Sequence, residues 1–412
     1  MLPVLKSLSK IKVLLLENIA PSAIDTLKSY GINKITQHKG SYSNKELKII
    51  IKDYHVLGIR SRTHLSGEVL NAANKFSTIG CFCIGTNQVD LVAARELGVP
   101  VFNAPYSNTR SVAELAICHI ISLFRQISVK HLAILAGVWD KSANGCYEIR
   151  GKTLGIVGYG HIGKQLGAIA ESLGMNVFYY DTLRQLSLGN AKALKSLKEL
   201  LKISDVVSLH VPDNDSTKNM ITRQELAIMK KGSYLINLSR GSVVSIDDLS
   251  LALESKHIAG AALDVFPAEP DSKEISFDCL LNNTPNVILT PHIAGSTEEA
   301  QVDIGQDVAN KLANFLMSGS TIDAVNFARL NVPPIKNCMR FIHIHKNMPG
   351  MLTKINDVFS SLKVNILGQY LQTHDDIGYG VIDADVKSNS SRLAIKEALR
   401  SIKHTVRSYS IY

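Results

Sequence analysis

Three residues of types that can do chemistry stand just past short apolar runs. Tyr234-Leu-Ile-Asn237 leads through Leu238 and Ser239 to Arg240, Ala259 to Leu263 leads through Asp264 to Glu269, and Val287-Ile-Leu289 leads through Thr290-Pro291 to His292. A guanidinium is a planar fork matched to a carboxylate and a neighbouring oxygen. An imidazole can take a proton from a hydroxyl in one direction and return it in the other. A nearby carboxylate orients the ring and favours its protonated form. The trio therefore suits oxidation of a 2-hydroxy acid: cation for the carboxylate, base for the hydroxyl proton, and an acceptor for the hydride. Singly, each has a plainer reading, as a surface salt bridge, a solvated acid or a cap before a Gly/Ser loop. Their recurrence at strand ends favours one shared site.

The hydride acceptor is announced by Leu154-Gly-Ile-Val-Gly-Tyr-Gly-His-Ile-Gly163. Leu154 to Val157 reads as a buried strand, Lys164 to Leu173 carries apolar residues at helical spacing, and Gly158, Gly160 and Gly163 form G-x-G-x-x-G between them. Gly158 permits the tight turn, Gly160 lets a pyrophosphate approach the backbone, and Gly163 allows close helix–strand packing. The helix N-terminus offers free N–H groups to phosphate. A second strand, Asn176 to Tyr180, ends at Asp181. An acid there binds both hydroxyls of an adenosine ribose and repels a 2′-phosphate, so NAD is expected over NADP. A further pair, Arg60 and Arg62 around Ser61, ends the run Val56-Leu-Gly-Ile59. It would supply a second cationic pocket, suited to a phosphorylated acid.

The elements that must position these groups alternate strand and helix, which implies parallel sheets. Strands are expected at Lys12 to Leu16, 56–59, 77–80 and 99–102, with helices at 21–29, 66–73 and 91–97. This is a flavodoxin-like first domain. Thr109 to Arg125 reads as a long core helix, and the fingerprint opens a second α/β domain with strands at 205–209, 234–237, 259–263 and 287–289. Thr297 to Met317 is an amphipathic helix returning to the first domain. Asn331-Val-Pro-Pro334 is a linker, because two prolines continue neither helix nor central strand. Beyond it, Phe341-Ile-His-Ile-His345 alternates apolar and polar residues, Asp375-Asp-Ile-Gly378 reads as a turn, and the order β-α-β-β-α-β is the ferredoxin-like plan. The fold class is thus α/β. A Rossmann-type domain (109–296) is inserted in a substrate domain (1–108 and 297–337), and a third domain (338–412) follows. Removing that last domain is expected to leave activity intact.

The chain's 412 residues leave room for such domains, and 45% hydrophobic with 20% charged residues is ordinary for a globular protein. The net charge of +9 has no long Lys/Arg block and no interleaved aromatics, so nucleic acid is not expected as a partner. Six cysteines without a C-x-x-C pair imply a reducing compartment, no disulfide framework and no metal. Val13-Leu-Leu-Leu16 is too short for a signal segment and is interrupted by Glu17, and no run reaches membrane-spanning length.

At these residues the sequence resembles the D-isomer-specific 2-hydroxyacid dehydrogenases. The stretches Gly158-Tyr-Gly-His-Ile-Gly163, Asn237-Leu-Ser-Arg-Gly241, Asp264-Val-Phe-Pro-Ala-Glu-Pro270 and Thr290-Pro-His-Ile-Ala-Gly-Ser296 carry the likeness. Residues 57–64, 80–90 and 102–114 narrow it to the bacterial branch acting on D-3-phosphoglycerate, and the C-terminal unit resembles its ACT regulatory domain. The resemblance implies oxidation of D-3-phosphoglycerate to 3-phosphonooxypyruvate with NAD, the first step of L-serine biosynthesis. It also implies reduction of 2-oxoglutarate as a frequent side activity, feedback by L-serine, and a cytoplasmic homotetramer joined partly through ACT domains. Catalysis is carried over to Arg240, Glu269 and His292, and substrate contacts to Arg60, Ser61, Arg62 and Asn108. Cofactor contacts fall on Gly158, Gly160, His161, Ile162, Gly163, Asp181, His210, Ser239, Asp264, Ala294 and Gly295. Effector contacts fall on His345, Asn347 and Asn365, with Asn365 expected on the strand neighbouring Asn347 and His345 expected as a donor. Leu238 and Ala294 replace commonly smaller residues, and Lys346 stands where an acid is common.

Overall fold

Strand alternation splits the first apolar run between two cores. Val13 and Leu15 face one side of their sheet while Leu14 and Leu16 face the other, and all four are buried. The computed structural model describes residues 8–73, 75–270, 276–334 and 338–411. The boundary expected at 337 and the strand end expected at Tyr412 lie outside the described residues. The chain divides into two compact units, one of residues up to Ser107 together with Gln301 onward, the other Asn108–Ala300.

In the first unit, β1 (Lys12–Leu15), α1 (Pro21–Ser29), β2 (Lys34–Gln37), α2 (Asn44–Ile50), β3 (Val56–Ile59), α3 (Gly67–Asn71), β4 (Thr78–Cys81), α4 (Leu91–Glu96) and β5 (Val101–Asn103) follow in order. The five strands form a parallel sheet in the order β2-β1-β3-β4-β5. The edge strand β2 and helix α2 escaped the sequence reading. Lys34-Ile-Thr-Gln37 leaves no residue buried, so it carries no apolar signal.

The second unit holds α5 (Thr109–Phe124), α6 (Ile127–Leu135), β6 (Thr153–Val157), α7 (His161–Ser172), β7 (Asn176–Tyr180), β8 (Lys192–Ala193), α8 (Leu197–Ile203), β9 (Val206–Leu209), α9 (Arg223–Ile228), β10 (Ser233–Asn237), α10 (Ile246–Glu254), β11 (Ile258–Leu263) and β12 (Val287–Leu289). Its seven parallel strands run β12-β11-β10-β9-β6-β7-β8. Leu154, Ile156, Val177 and Ile236 pack with α5 and α7 on one face, and Val157, Val207, Leu235 and Leu263 with α8, α9 and α10 on the other. The sheet is doubly wound, as expected. No single helix among the described residues is long and apolar enough to cross a membrane. The apolar α5 is instead part of this core.

After α11 (Glu298–Ser318) come β13 (Met339–Lys346), α12 (Met351–Ser361), β14 (Ile366–His374), β15 (Ile377–Ala384), α13 (Asn389–Ser401) and β16 (Thr405–Ile411). The four strands form an antiparallel sheet in the order β14-β15-β13-β16, the ferredoxin-like arrangement. One sequence expectation is corrected here, the turn at 375–378. Gly378 belongs to β15 and not to a turn. Residues 341–345 are buried on both faces, because Phe341 packs with α12 and α13 while Ile342 and Ile344 join the core of the first unit. The Pro-Pro segment therefore does not leave a free-standing appendage.

Candidate active site

The strand order of the second unit reverses between β6 and β9. In open α/β sheets this switch point, beyond the carboxyl ends of the strands, is where ligands bind. Gly158 leaves β6 at φ +88°, and a Cβ there would meet the His210 carbonyl oxygen at 2.2 Å. A Cβ on Gly163 would meet the Gly158 carbonyl oxygen at 2.4 Å, whereas one on Gly160 would meet nothing within 4 Å. The turn is thus closed by protein on two glycines and open at the third. His161 and Ile162 begin α7 directly behind it, so their N–H groups face no preceding helical carbonyl. Asp181 accepts from Tyr159 N and Leu183 N, both at 2.8 Å, which fixes its carboxylate beside the glycine turn.

His210 follows β9. Its Nε2 lies 2.8 Å from Ser208 Oγ, and its buried Nδ1 has no partner among the described residues. Burial pulls its pKa down to about 4, so the ring is neutral at physiological pH. An unmatched ring nitrogen at the switch point, an open glycine and a fixed acid are the features a dinucleotide would complete. The residues present fit NAD.

Beyond β10, Asn237 shapes the next loop. Its Oδ1 accepts from Ser239 N and Ser239 Oγ, and its Nδ2 donates to Arg240 O. Arg240 Nη1 donates to Ser239 O at 2.7 Å. Gly241 then passes so close to the following loop that a Cβ would lie 2.1 Å from Phe266 O. This contact sets the Arg240 loop against the segment carrying Glu269.

Asp264, fully buried at the end of β11, is an anchor for the last loop. Its carboxylate accepts from Thr290 Oγ1, Ile293 N and Ala294 N at 2.6–2.8 Å. Its backbone oxygen accepts from His292 N. His292 adopts φ +53°, unusual for a residue with a side chain and held by these bonds. Gly295 sits against Asn108, where a Cβ would come within 2.1 Å of Nδ2.

His292 Nδ1 lies 2.8 Å from Glu269 Oε2, while Phe266 N donates to Glu269 Oε1. The described residues give His292 Nε2 no partner. The hydrogen bond to Glu269 raises the His292 pKa above the ordinary imidazole value. Burial opposes it, the Glu269 and Asp264 charges add to it, and Arg240 acts against it. Burial pushes the Glu269 carboxyl upward. The hydrogen bond and charge of His292, the Phe266 N–H and the Arg240 charge outweigh it and hold the carboxyl below its usual range. Arg240, Glu269 and His292 therefore form one electrostatic set, able to move a proton at Nε2 beside a guanidinium.

In the first unit, Arg60, Ser61 and Arg62 follow β3. The buried Glu17, at φ +60°, accepts from Arg60 N, Arg62 N and Thr63 N at 2.9–3.1 Å. Gln88 Nε2 donates to Arg60 O. Glu17, Asn237 and Gln88 were missed as organisers. For Glu17 the signal was present, an acid ending an apolar run.

In the C-terminal sheet, His345 is 1% exposed whereas Asn347 and Asn365 are exposed. Asn365 is not on the strand beside Asn347. β15 intervenes, and Asn347 bonds Asp376 at its start while Asn365 bonds Asp385 past its end. The split-βαβ connection places the two at opposite ends of one sheet. Lys346 bonds Asp376 and reaches Glu96.

A doubly wound sheet with this glycine turn and an acid-backed histidine defines an NAD-dependent oxidoreductase. Residues 117–294 match the model for the D-isomer-specific 2-hydroxyacid dehydrogenase NAD-binding domain, and 341–407 match an AHAS small subunit-like ACT domain. The chain is 51% identical over 98% of both chains to D-3-phosphoglycerate dehydrogenase of Escherichia coli K12. It is 50% identical to the Haemophilus influenzae enzyme of that name, again over 98% of each. A solved D-lactate dehydrogenase of Aquifex aeolicus, complexed with NAD and lactic acid, matches 74% of this chain and 95% of its own with TM-score 0.65 and 27% identity. The chain belongs to the D-isomer-specific 2-hydroxyacid dehydrogenase family.

Proposed function

We propose that this chain oxidises D-3-phosphoglycerate to 3-phosphonooxypyruvate with NAD, the first step of L-serine biosynthesis. The carrying observation is the 51% identity, over 98% of both chains, to a D-3-phosphoglycerate dehydrogenase. NAD, when bound at the glycine turn, supplies the acceptor for the hydride leaving C2. The proposed cofactor contacts are Gly158, Gly160, His161, Ile162, Gly163, Asp181, His210, Ser239, Asp264, Ala294 and Gly295. Arg240 holds the substrate carboxylate through its fork. His292 Nε2 takes the hydroxyl proton, and Glu269 stabilises the resulting imidazolium. Arg60, Ser61, Arg62 and Asn108 are assigned to the substrate, the arginines to its phosphate.

The domain reading that goes with this is a substrate domain (1–108 and 297–337), an NAD domain (109–296) and an ACT domain (338–412). L-Serine is the proposed effector, at His345, Asn347 and Asn365. Since one chain holds the two asparagines apart, two ACT domains must contribute to each site. Assembly into a homotetramer has a second support. Leu132, Leu135, Val138 and Trp139 are 64%, 70%, 54% and 78% exposed on and just after α6. A patch of this kind marks an interaction surface. A cytoplasmic location fits the absence of disulfides among the described residues.

The deciding experiment follows NAD reduction with D-3-phosphoglycerate, D-glycerate and D-lactate, and NADH oxidation with 2-oxoglutarate. The highest kcat/KM is expected for D-3-phosphoglycerate, with weaker 2-oxoglutarate reduction. A preference for an unphosphorylated acid would overturn the assignment.

A further inference from the structure

A short chain of buried polar atoms runs behind the effector residues. His343 and His345 leave β13 on the same side, two residues apart. Their Nδ1 atoms are 3.1 Å apart. His343 Nε2 lies 2.9 Å from Thr405 Oγ1 and 3.3 Å from the Leu399 carbonyl oxygen at the end of α13. Thr405 Oγ1 is itself 3.1 Å from that carbonyl.

Counting hydrogens orders this chain. A carbonyl only accepts, and a hydroxyl has one hydrogen to give. Thr405 Oγ1 and His343 Nε2 both face Leu399 O, which only accepts; the arrangement that serves all three atoms has Thr405 donating to Leu399 O and accepting from His343, with the His343 proton on Nε2. Burial, then the neighbouring His345, pulls the His343 pKa down to about 4, against the Leu399 carbonyl. At neutral pH His343 therefore has a bare Nδ1. The hydrogen between the two Nδ1 atoms must come from His345. Burial lowers the His345 pKa too, opposed by a hydrogen bond to the His343 carbonyl. Neutral His345 is left with a lone pair on Nε2. That atom lies over Gly378 of β15, where a Cβ would approach it to 2.4 Å.

We propose that His343 and Thr405 are positioning residues that hold His345 in its Nδ1–H form, so that Nε2 accepts a hydrogen bond from the ammonium or hydroxyl group of an amino-acid effector. The effector's carboxylate then falls to the amides of Asn347 and Asn365. This reverses the donor role expected of His345 from the sequence, and its second half rests on the effector reading of the ACT domain. Gly378 is part of the device, because only a glycine leaves room for the ring.

Neutron diffraction from crystals of the deuterated full-length chain tests the first half without any effector. Deuterium is expected on His343 Nε2 and His345 Nδ1, with His345 Nε2 bare. Deuterium on His345 Nε2 and a bare Nδ1 would overturn the proposal. The second half is read from inhibition of the full-length enzyme by L-serine. Thr405→Val is expected to raise the half-inhibiting concentration roughly fivefold, with uninhibited kcat and KM unchanged, while Thr405→Ser restores it. Inhibition of Thr405→Val at the unmutated concentration would remove the positioning role. If serine fails to inhibit the unmutated enzyme, the effector reading fails, and the neutron map still decides the tautomer.

Discussion

The His292–Glu269 pair is the point where a proton and a charge are coupled. Glu269 raises the His292 pKa above the ordinary imidazole value, so in the proposed role of base the neutral ring accumulates only as pH rises through that raised pKa. The kcat/KM for oxidation is expected to rise with pH through the His292 pKa. Glu269→Gln removes the largest cause of the upward shift, so the rise moves to lower pH, and a pH–rate profile of both proteins checks it. His292→Ala is expected to lower kcat by about 100- to 10,000-fold while leaving NADH binding, followed by fluorescence, nearly unchanged. At the far end of the proposed cofactor site, Asp181 is fixed by two backbone N–H groups. NADH is therefore expected to outperform NADPH widely, and Asp181→Ala to narrow the gap in paired assays.

The same logic extends to the loops that carry these residues. Glu17 holds three backbone N–H groups around Arg60 to Thr63. Glu17→Ala leaves those donors without their acceptor. We expect a loss of about 3 kcal/mol in denaturant unfolding, together with a KM for D-3-phosphoglycerate that rises more than kcat falls. What the amino-acid order reveals at this scale follows from what each element buries. The strands that lead to Asp181, His210, Arg240, Asp264 and His292 are mostly apolar, so their ends and the polar residues beyond them were visible. β2 is polar and at a sheet edge, and α6 leaves no residue buried, so neither shows a face. Asn237, Asp264 and Thr405 could be seen as residues, but not as partners. Their work depends on atoms brought near by folding, such as Ser239, Ala294 and His343. The left-handed backbone of His292 carries no sequence mark at all.

For the whole molecule, the decisive feature is the C-terminal sheet, whose central strands β13 and β15 are buried on both faces. Ile342, Ile344, Tyr379 and Val381 share a core with Val13, Leu27, Val308 and Phe327. Arg340, fully buried, donates to both oxygens of Asp383 at 2.6 and 2.7 Å and to Ser318 O at 2.8 Å. Asp383→Ala would strand that guanidinium, and a loss of about 3–5 kcal/mol is expected by denaturant unfolding. Truncation after residue 337, expected from the proline linker to leave activity, should instead expose the shared core and give aggregating protein in light scattering. The arrangement also bears on how the chain is made. Residues 108–300 are contiguous and hold their own cores, whereas the face of the first sheet carrying Val13 and Leu15 is covered by residues from 304–332 and 342–411, which are translated later. The opposite face of that sheet, closed by residues 14–101 alone, does not wait; pulse proteolysis of chains of increasing length is therefore expected to show the middle unit and this face protected before the Val13 and Leu15 face.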